Sequence, residues 1–227
     1  MLKKEKIQKW KEKVFELNKK TFNKSDKNLC DGFYSIDGEL NPNADIIIIG
    51  FNPGKPGNNR KYEHFETIDL DKLPMSYLEL NQGYRYHLAE KTTNVFKKAG
   101  IQNIEKHYEN NCIKTNLYHL ISENGDSLKR SLLLKEWEIY RDKMHNYIYD
   151  LIDVIQPKLV LIEGKITWEK LIIDTYETYN RSWNNRYHFG YFYHKETEFV
   201  GYNRNQNTDD AAIIVGEIFN QRITKDI

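Results

Sequence analysis

Apolar and polar positions along the chain fall into two rhythms. Over residues 2–22, Ile7, Trp10, Val14, Leu17 and Phe22 recur at helical spacing with lysines between them, which predicts an amphipathic helix. Residues 23–44 are rich in Asn, Asp, Ser and Gly and read as a loop. The rhythm then changes. Ile46 to Ile49 are four consecutive β-branched residues, the pattern of a strand buried on both faces. Residues 55–75 are polar, aperiodic and carry Gly and Pro, so a long loop is predicted, and loops of that length in compact domains are usually functional. A helix over 84–99 ends at Gly100. A short strand covers 112–117. A long helix, capped by Asp126 or Ser127, runs to about Ile155 on a stripe of Leu132, Leu133, Trp137, Tyr140, Met144, Ile148, Leu151 and Ile152, and Pro157 closes it. Leu159–Ile162 is a further apolar strand, and Gly164 turns it into a helix over 166–175. Residues 187–193 and 196–201 resemble paired strands joined around His194-Lys195, and a last helix spans about 209–222. Strands alternating with helices predict an α/β fold: a three-layer α/β/α sandwich with a short, mainly parallel central sheet. We expect a single domain, with residues 1–43 as a basic helix and loop packed on a core formed by 44–227.

At 227 residues, one well-packed domain is the natural reading. The chain is 39% hydrophobic and 30% charged, with 16 Tyr, 10 Phe and 4 Trp, which excludes a disordered chain. No apolar run reaches the ~20 residues of a membrane span, and the N-terminus is charged from its third residue, with no apolar signal core. Cys30 and Cys112 lie far apart without metal-ligand spacing and read as reduced, buried thiols of a cytoplasmic protein. The net charge of +1 hides an asymmetry. Residues 1–27 hold ten Lys and four acidic residues, a local charge of +6, so the rest carries −5. Such an arm suits phosphate contacts, and the same pattern describes a solvated lysine-rich helix face.

The stretch that organises the chain is the first Ile-rich strand together with the loop after it, Gly50-Phe51-Asn52-Pro53-Gly54. A loop at the carboxyl end of a buried strand is where open α/β sheets bind ligands. It is not a phosphate loop. Three residues, not four, separate Gly50 from Gly54, and Pro56 rather than Ser or Thr comes after Lys55, which argues against a nucleotide triphosphatase.

Three junctions together resemble the uracil-DNA glycosylase superfamily. Gly50-Phe51-Asn52-Pro53-Gly54 is similar to its first motif, in the GINPG and GMNPG forms of the mismatch-specific and single-strand-selective branches. Lys114-Thr115-Asn116-Leu117 resembles its middle strand, which ends in a base-reading Asn. Pro157 to Gly164, with Trp168 and Leu171 beyond it, resembles its Pro-Lys-apolar strand and helix. The match covers roughly residues 44–220. The resemblance implies a monofunctional DNA N-glycosylase that extrudes a nucleotide and hydrolyses its N-glycosidic bond, leaving an abasic site. It implies Asn52 as the residue that positions water, the backbone around Phe51 and Asn52 and the open position Gly54 as base contacts, Phe65 as the stacking ring and Asn116 as the reader of the pyrimidine edge. Phe65 equally suits a loop anchor, and Asn116 a turn cap.

The family's third motif, His-Pro-Ser, is replaced here by Gly201-Tyr202-Asn203-Arg204-Asn205-Gln206-Asn207. Arg204 would then stabilise the departing base, with Tyr202 and Asn203 beside it, while Lys55, Asn205 and Gln206 would contact DNA. His119, His188 and His194 are fallback acids, each better suited to a surface or packing role. Gly54 removes the aromatic wall that excludes 5-substituted bases, so two substrates are expected: uracil or a damaged base in repair, or a bulky modified cytosine, as in phage DNA, in antiviral defence. DNA is the expected partner, for a monomer needing no cofactor or metal. A catalytically inactive DNA-binding relative is the second reading.

Overall fold

The computed structural model describes residues 2–54, 66–69, 87–173, 183–184, 186, 188–203, 205–206 and 208–223. Helix α1 (Lys3–Lys24) buries the expected stripe of Ile7, Trp10, Val14, Leu17 and Phe22. Strand β1 (Phe33–Asp37) comes next, then β2 (Ile46–Gly50), β3 (Glu66–Asp69), α2 (His87–Lys98), α3 (Ile104–Asn110) and β4 (Cys112–Asn116). After them come α4 (Gly125–Arg130), α5 (Leu134–Ile155), β5 (Leu159–Glu163), α6 (Lys165–Trp168), β6 (Trp183–Asn184), β7 (Phe189–His194), β8 (Thr197–Tyr202) and α7 (Asp209–Ile218). Helices α6 and α7 each run on into a π-turn, Glu169–Ile173 and Phe219–Ile223.

The described strands form one mixed eight-stranded sheet in the order β3-β1-β4-β2-β5-β8-β7-β6. The sequence pattern predicts a short, mainly parallel sheet, and this needs correction. The centre, β4-β2-β5-β8, is parallel, but β1 enters antiparallel to β4, and β8, β7 and β6 form an antiparallel meander. The β7–β8 hairpin is tight because Lys195 and Glu196 both take positive φ (45° and 66°), one residue beyond the expected turn.

β2 lies inside the parallel centre, and its four isoleucines alternate between two hydrophobic clusters. Ile47 and Ile49 pack with residues of α1 and α5; Ile46 and Ile48 pack with residues of α2, α3 and α7. Burying each such side chain stabilises the fold by about 1.5–3 kcal/mol. Helices therefore cover both faces of the sheet.

Two further expectations change. The long helix predicted from residue 126 to 155 is two helices, because Ser131–Leu133 breaks it. The cap of the first is Asn124, whose side chain accepts from Ser127 N at 2.9 Å. Leu132 is buried as expected, but Leu133 at the break is 78% exposed. The stretches predicted as loops contain β1 and β3; β1 carries two buried polar residues, Ser35 and Asp37, which hide its strand pattern. Cys30 and Cys112 are free and buried. No helix among the described residues is long and apolar enough to cross a membrane.

Candidate functional site at the carboxyl edge of the sheet

Strands β2, β4, β5 and β8 run parallel, so their carboxyl ends share one edge. In register, Gly50 lies opposite Asn116, and Glu163 opposite Tyr202. The period-two alternation that sends Ile48, Leu161 and Val200 toward α2 and α7 sends Lys114, level with them, and Asn116, Glu163 and Tyr202, one step nearer the edge, the same way.

These side chains form a buried polar network. Lys114 Nζ lies 3.1 Å from Glu163 Oε2, with the two side chains 5% and 0% exposed. Thr92, on α2, has its hydroxyl 2.5 Å from Glu163 Oε1 and 2.7 Å from Tyr202 Oη. A carboxylate only accepts and a hydroxyl has one proton, so Tyr202 donates to Thr92 and Thr92 donates to Glu163. Lys114 also donates to Thr115 O at 2.8 Å and lies 3.5 Å from Asn116 Oδ1. Gly50 is the gap over which these groups meet. A Cβ there would fall 2.5 Å from Asn116 Oδ1, 2.9 Å from Lys114 Nζ and 3.1 Å from Glu163 Oε2. Only a residue without a side chain lets β2 run this close to the network.

Beyond Gly50 the loop is laced to the segment after β4. Gly50 O and Phe51 O accept from Leu117 N (2.8 Å) and Tyr118 N (2.9 Å), and Pro53 O accepts from Ser122 N (3.1 Å). The Phe51 ring stands edge-on to Tyr118, and Gly125, at the start of α4, lets that helix approach it: a Cβ would meet Phe51 Cε1 at 2.6 Å. Asn52 is half-buried. Its amide nitrogen donates to Pro53 O (2.9 Å), Ser122 Oγ (2.9 Å) and Ser122 O (3.2 Å), which uses its hydrogens. Its Oδ1 accepts no hydrogen bond among the described residues. The amide is thus held by its nitrogen with its oxygen left as an acceptor. Gly54 is exposed, bridges to Ser122, and among the described residues has no atom within 4 Å of where a Cβ would stand.

Gly50 and Asn116 are adjacent strand-end partners, and the Phe51–Gly54 loop continues directly from the first of them. Tyr202 is fully buried in the Thr92 network. Asn203, half-buried, donates its backbone N–H to His188 O at 3.0 Å and accepts from Asn205 N at 3.1 Å through Oδ1. Asn205 and Gln206 are exposed. Lys55, Phe65 and Arg204 lie outside the described residues. A groove of about 600 Å³ runs along α4 and the start of α5, past Asn124, Lys129, Arg130 and Trp137, rather than over Asn116.

The chain matches no protein-family model, and a search of curated proteins finds no match for it.

Of the candidate histidines, His188 meets the Asn203 backbone through its carbonyl, while His119 and His194 are held elsewhere. His119 is buried: Asn18 Nδ2 donates to its Nδ1 at 3.0 Å, and its Nε2 faces Thr115 Oγ1 at 3.4 Å. Burial pushes its pKa down to about 3, so it is neutral and part of a core network with Ser35 and Tyr140. His194 stacks on Phe192 at 5.9 Å. Among the described residues no group of three His, Cys, Asp or Glu could hold a metal. Sequence reasoning assigned no role to Lys114, Glu163 or Thr92. The only signal was a charged residue within a short strand: Lys114 at the centre of Cys112–Asn116 and Glu163 at the end of the otherwise apolar Leu159–Glu163.

Proposed function

We propose that the chain is a DNA glycosylase of the uracil-DNA glycosylase superfamily. It hydrolyses the N-glycosidic bond of a flipped-out pyrimidine, uracil or a bulky modified cytosine, and leaves an abasic site. The observation that carries this reading is the pairing of Gly50 with Asn116, which sets a potential base-reading amide beside the loop that carries Asn52. Bond cleavage develops positive charge on the sugar and negative charge on the departing base. Water must be held at C1′ while the base edge is gripped. Asn52 fits the first task. An amide oxygen orients water by accepting one of its hydrogens, and its fixed nitrogen keeps that oxygen in place. It is a weak base, so the site relies on positioning more than on proton removal. Asn116 fits the second task, and the buried ammonium of Lys114 behind it adds positive potential near the departing base. Gly54, which carries no side chain and meets no described residue where a Cβ would stand, suits a 5-substituent.

The test is a panel of duplexes and single strands, each with one uracil, 5-hydroxymethylcytosine or glucosylated hydroxymethylcytosine. Wild-type protein is expected to leave alkali-labile abasic sites in at least one, and Asn52→Ala to suppress them. Identical behaviour of the two proteins on every base would reject excision and leave a DNA-binding role.

A further inference from the structure

We infer that Lys114 decides which edge of the base the site reads, by holding the Asn116 amide with its nitrogen outward. This rests on the base-excision reading and narrows its substrate to a cytosine-class base, one whose ring N3 is an unprotonated acceptor. An ammonium group only donates. Lys114 Nζ is fixed by Glu163 at 3.1 Å and Thr115 O at 2.8 Å, and the oxygen of Asn116 lies 3.5 Å from it. Turning the amide over would set an N–H against the ammonium, so the oxygen stays on the lysine side. That same oxygen lies 2.5 Å from where a Cβ of Gly50 would stand, so the backbone of β2 runs close beside it on the strand side. The amide nitrogen of Asn116, a residue only 5% exposed, makes no hydrogen bond among the described residues.

An outward NH₂ offers two donors and no acceptor. Cytosine presents N3 as an acceptor that one of these hydrogens reaches, with the acceptor O2 beside it. Uracil carries a hydrogen on N3, which would face a hydrogen of Asn116. Reading uracil requires an amide that presents its oxygen as well, and Lys114 holds that oxygen back. A 5-substituent lies across the ring from C2 and does not disturb the contact. Meeting an acceptor at N3 rather than a second donor discriminates on the order of 10- to 100-fold.

The matched probes are 5-hydroxymethylcytosine and 5-hydroxymethyluracil in the same duplex. Each is used as the cleavable nucleotide and as its non-cleavable 2′-fluoroarabino analogue. Wild-type full-length protein is expected to release and to bind the cytosine form on the order of 10- to 100-fold better. In the neutral pair Lys114→Met/Glu163→Gln that ratio is expected to fall at least tenfold. Asn116→Asp, which offers only acceptors, is expected to reverse it and serves where the double variant does not fold. A wild-type preference for the uracil form, or a ratio that neither variant moves, overturns the inference. Binding that keeps the preference without base release from any duplex retains the edge reading and rejects excision. Base release without edge preference does the opposite.

Discussion

Replacing Lys114 with Met should be among the most destabilising single changes in the sheet. The change keeps most of the side-chain volume and removes the charge. It leaves the Glu163 carboxylate, whose side chain is 0% exposed, without the cation 3.1 Å away. Removing one partner of a buried ion pair costs about 3–5 kcal/mol, because the remaining charge stays desolvated. Total stability of a domain is about 5–15 kcal/mol, so the loss is a large fraction of it. Replacing both partners, as Lys114→Met/Glu163→Gln, removes the stranded charge and is expected to recover most of the loss. Urea unfolding monitored by the fluorescence of the four Trp residues measures both. With a urea slope of about 2–3 kcal/mol per molar, the Lys114→Met midpoint should fall by roughly 1–2 M. The cycle should give an interaction energy of at least about 1.5 kcal/mol. A Lys114→Met loss under about 1 kcal/mol, the range of an exposed pair, would refute the burial argument.

Three other outcomes are expected. His119 titrates near 3 when folded against about 6.5 unfolded, so between those values the unfolded state binds more protons and stability falls as pH drops. From pH 6.5 to 5 the loss attributable to this ring is about 2 kcal/mol, and the matching urea series on His119→Gln should be flatter by that amount. Equal slopes would mean the ring protonates in place. Gly201→Ala would drive a Cβ into the buried Trp168 ring, which already fills the space against Gly190, where a Cβ would come within 2.5 Å of it. Thermal unfolding should register about 1–3 kcal/mol of overpacking, and an unshifted transition would contradict that packing. In the excision assay, Asn52→Ala should lower the single-turnover rate by at least about 100-fold, with DNA binding retained.

The parts of the fold legible in the sequence are those whose side chains repeat a simple rule. α1 was visible because its apolar stripe faces the core through Ile7, Trp10, Val14 and Leu17. β2 and β5 were visible because burial on both faces removes polar residues from Ile46–Ile49 and Leu159–Ile162. β1 was not, because its inward positions include Ser35, whose hydroxyl accepts from Asn18 Nδ2 at 3.3 Å; polar residues satisfied by partners far along the chain leave no local signature. The break between α4 and α5 was hidden for a related reason. Leu132 and Leu133 prolong the apolar pattern, although only Leu132 turns inward. At the candidate site the motif Gly50–Gly54 and Asn116 could be named from the chain alone. The Lys114–Glu163 pair could not, since its members are 49 residues apart and meet only because β4 and β5 flank β2.

The most direct measurement is the amount of free base released per protein from a duplex containing one modified pyrimidine, quantified by mass spectrometry. Wild type should release base stoichiometrically or better. Asn116→Ala should nearly abolish release while its free energy of urea unfolding stays within about 1 kcal/mol of wild type. Undiminished release by Asn116→Ala would contradict a base-reading site at the end of β4.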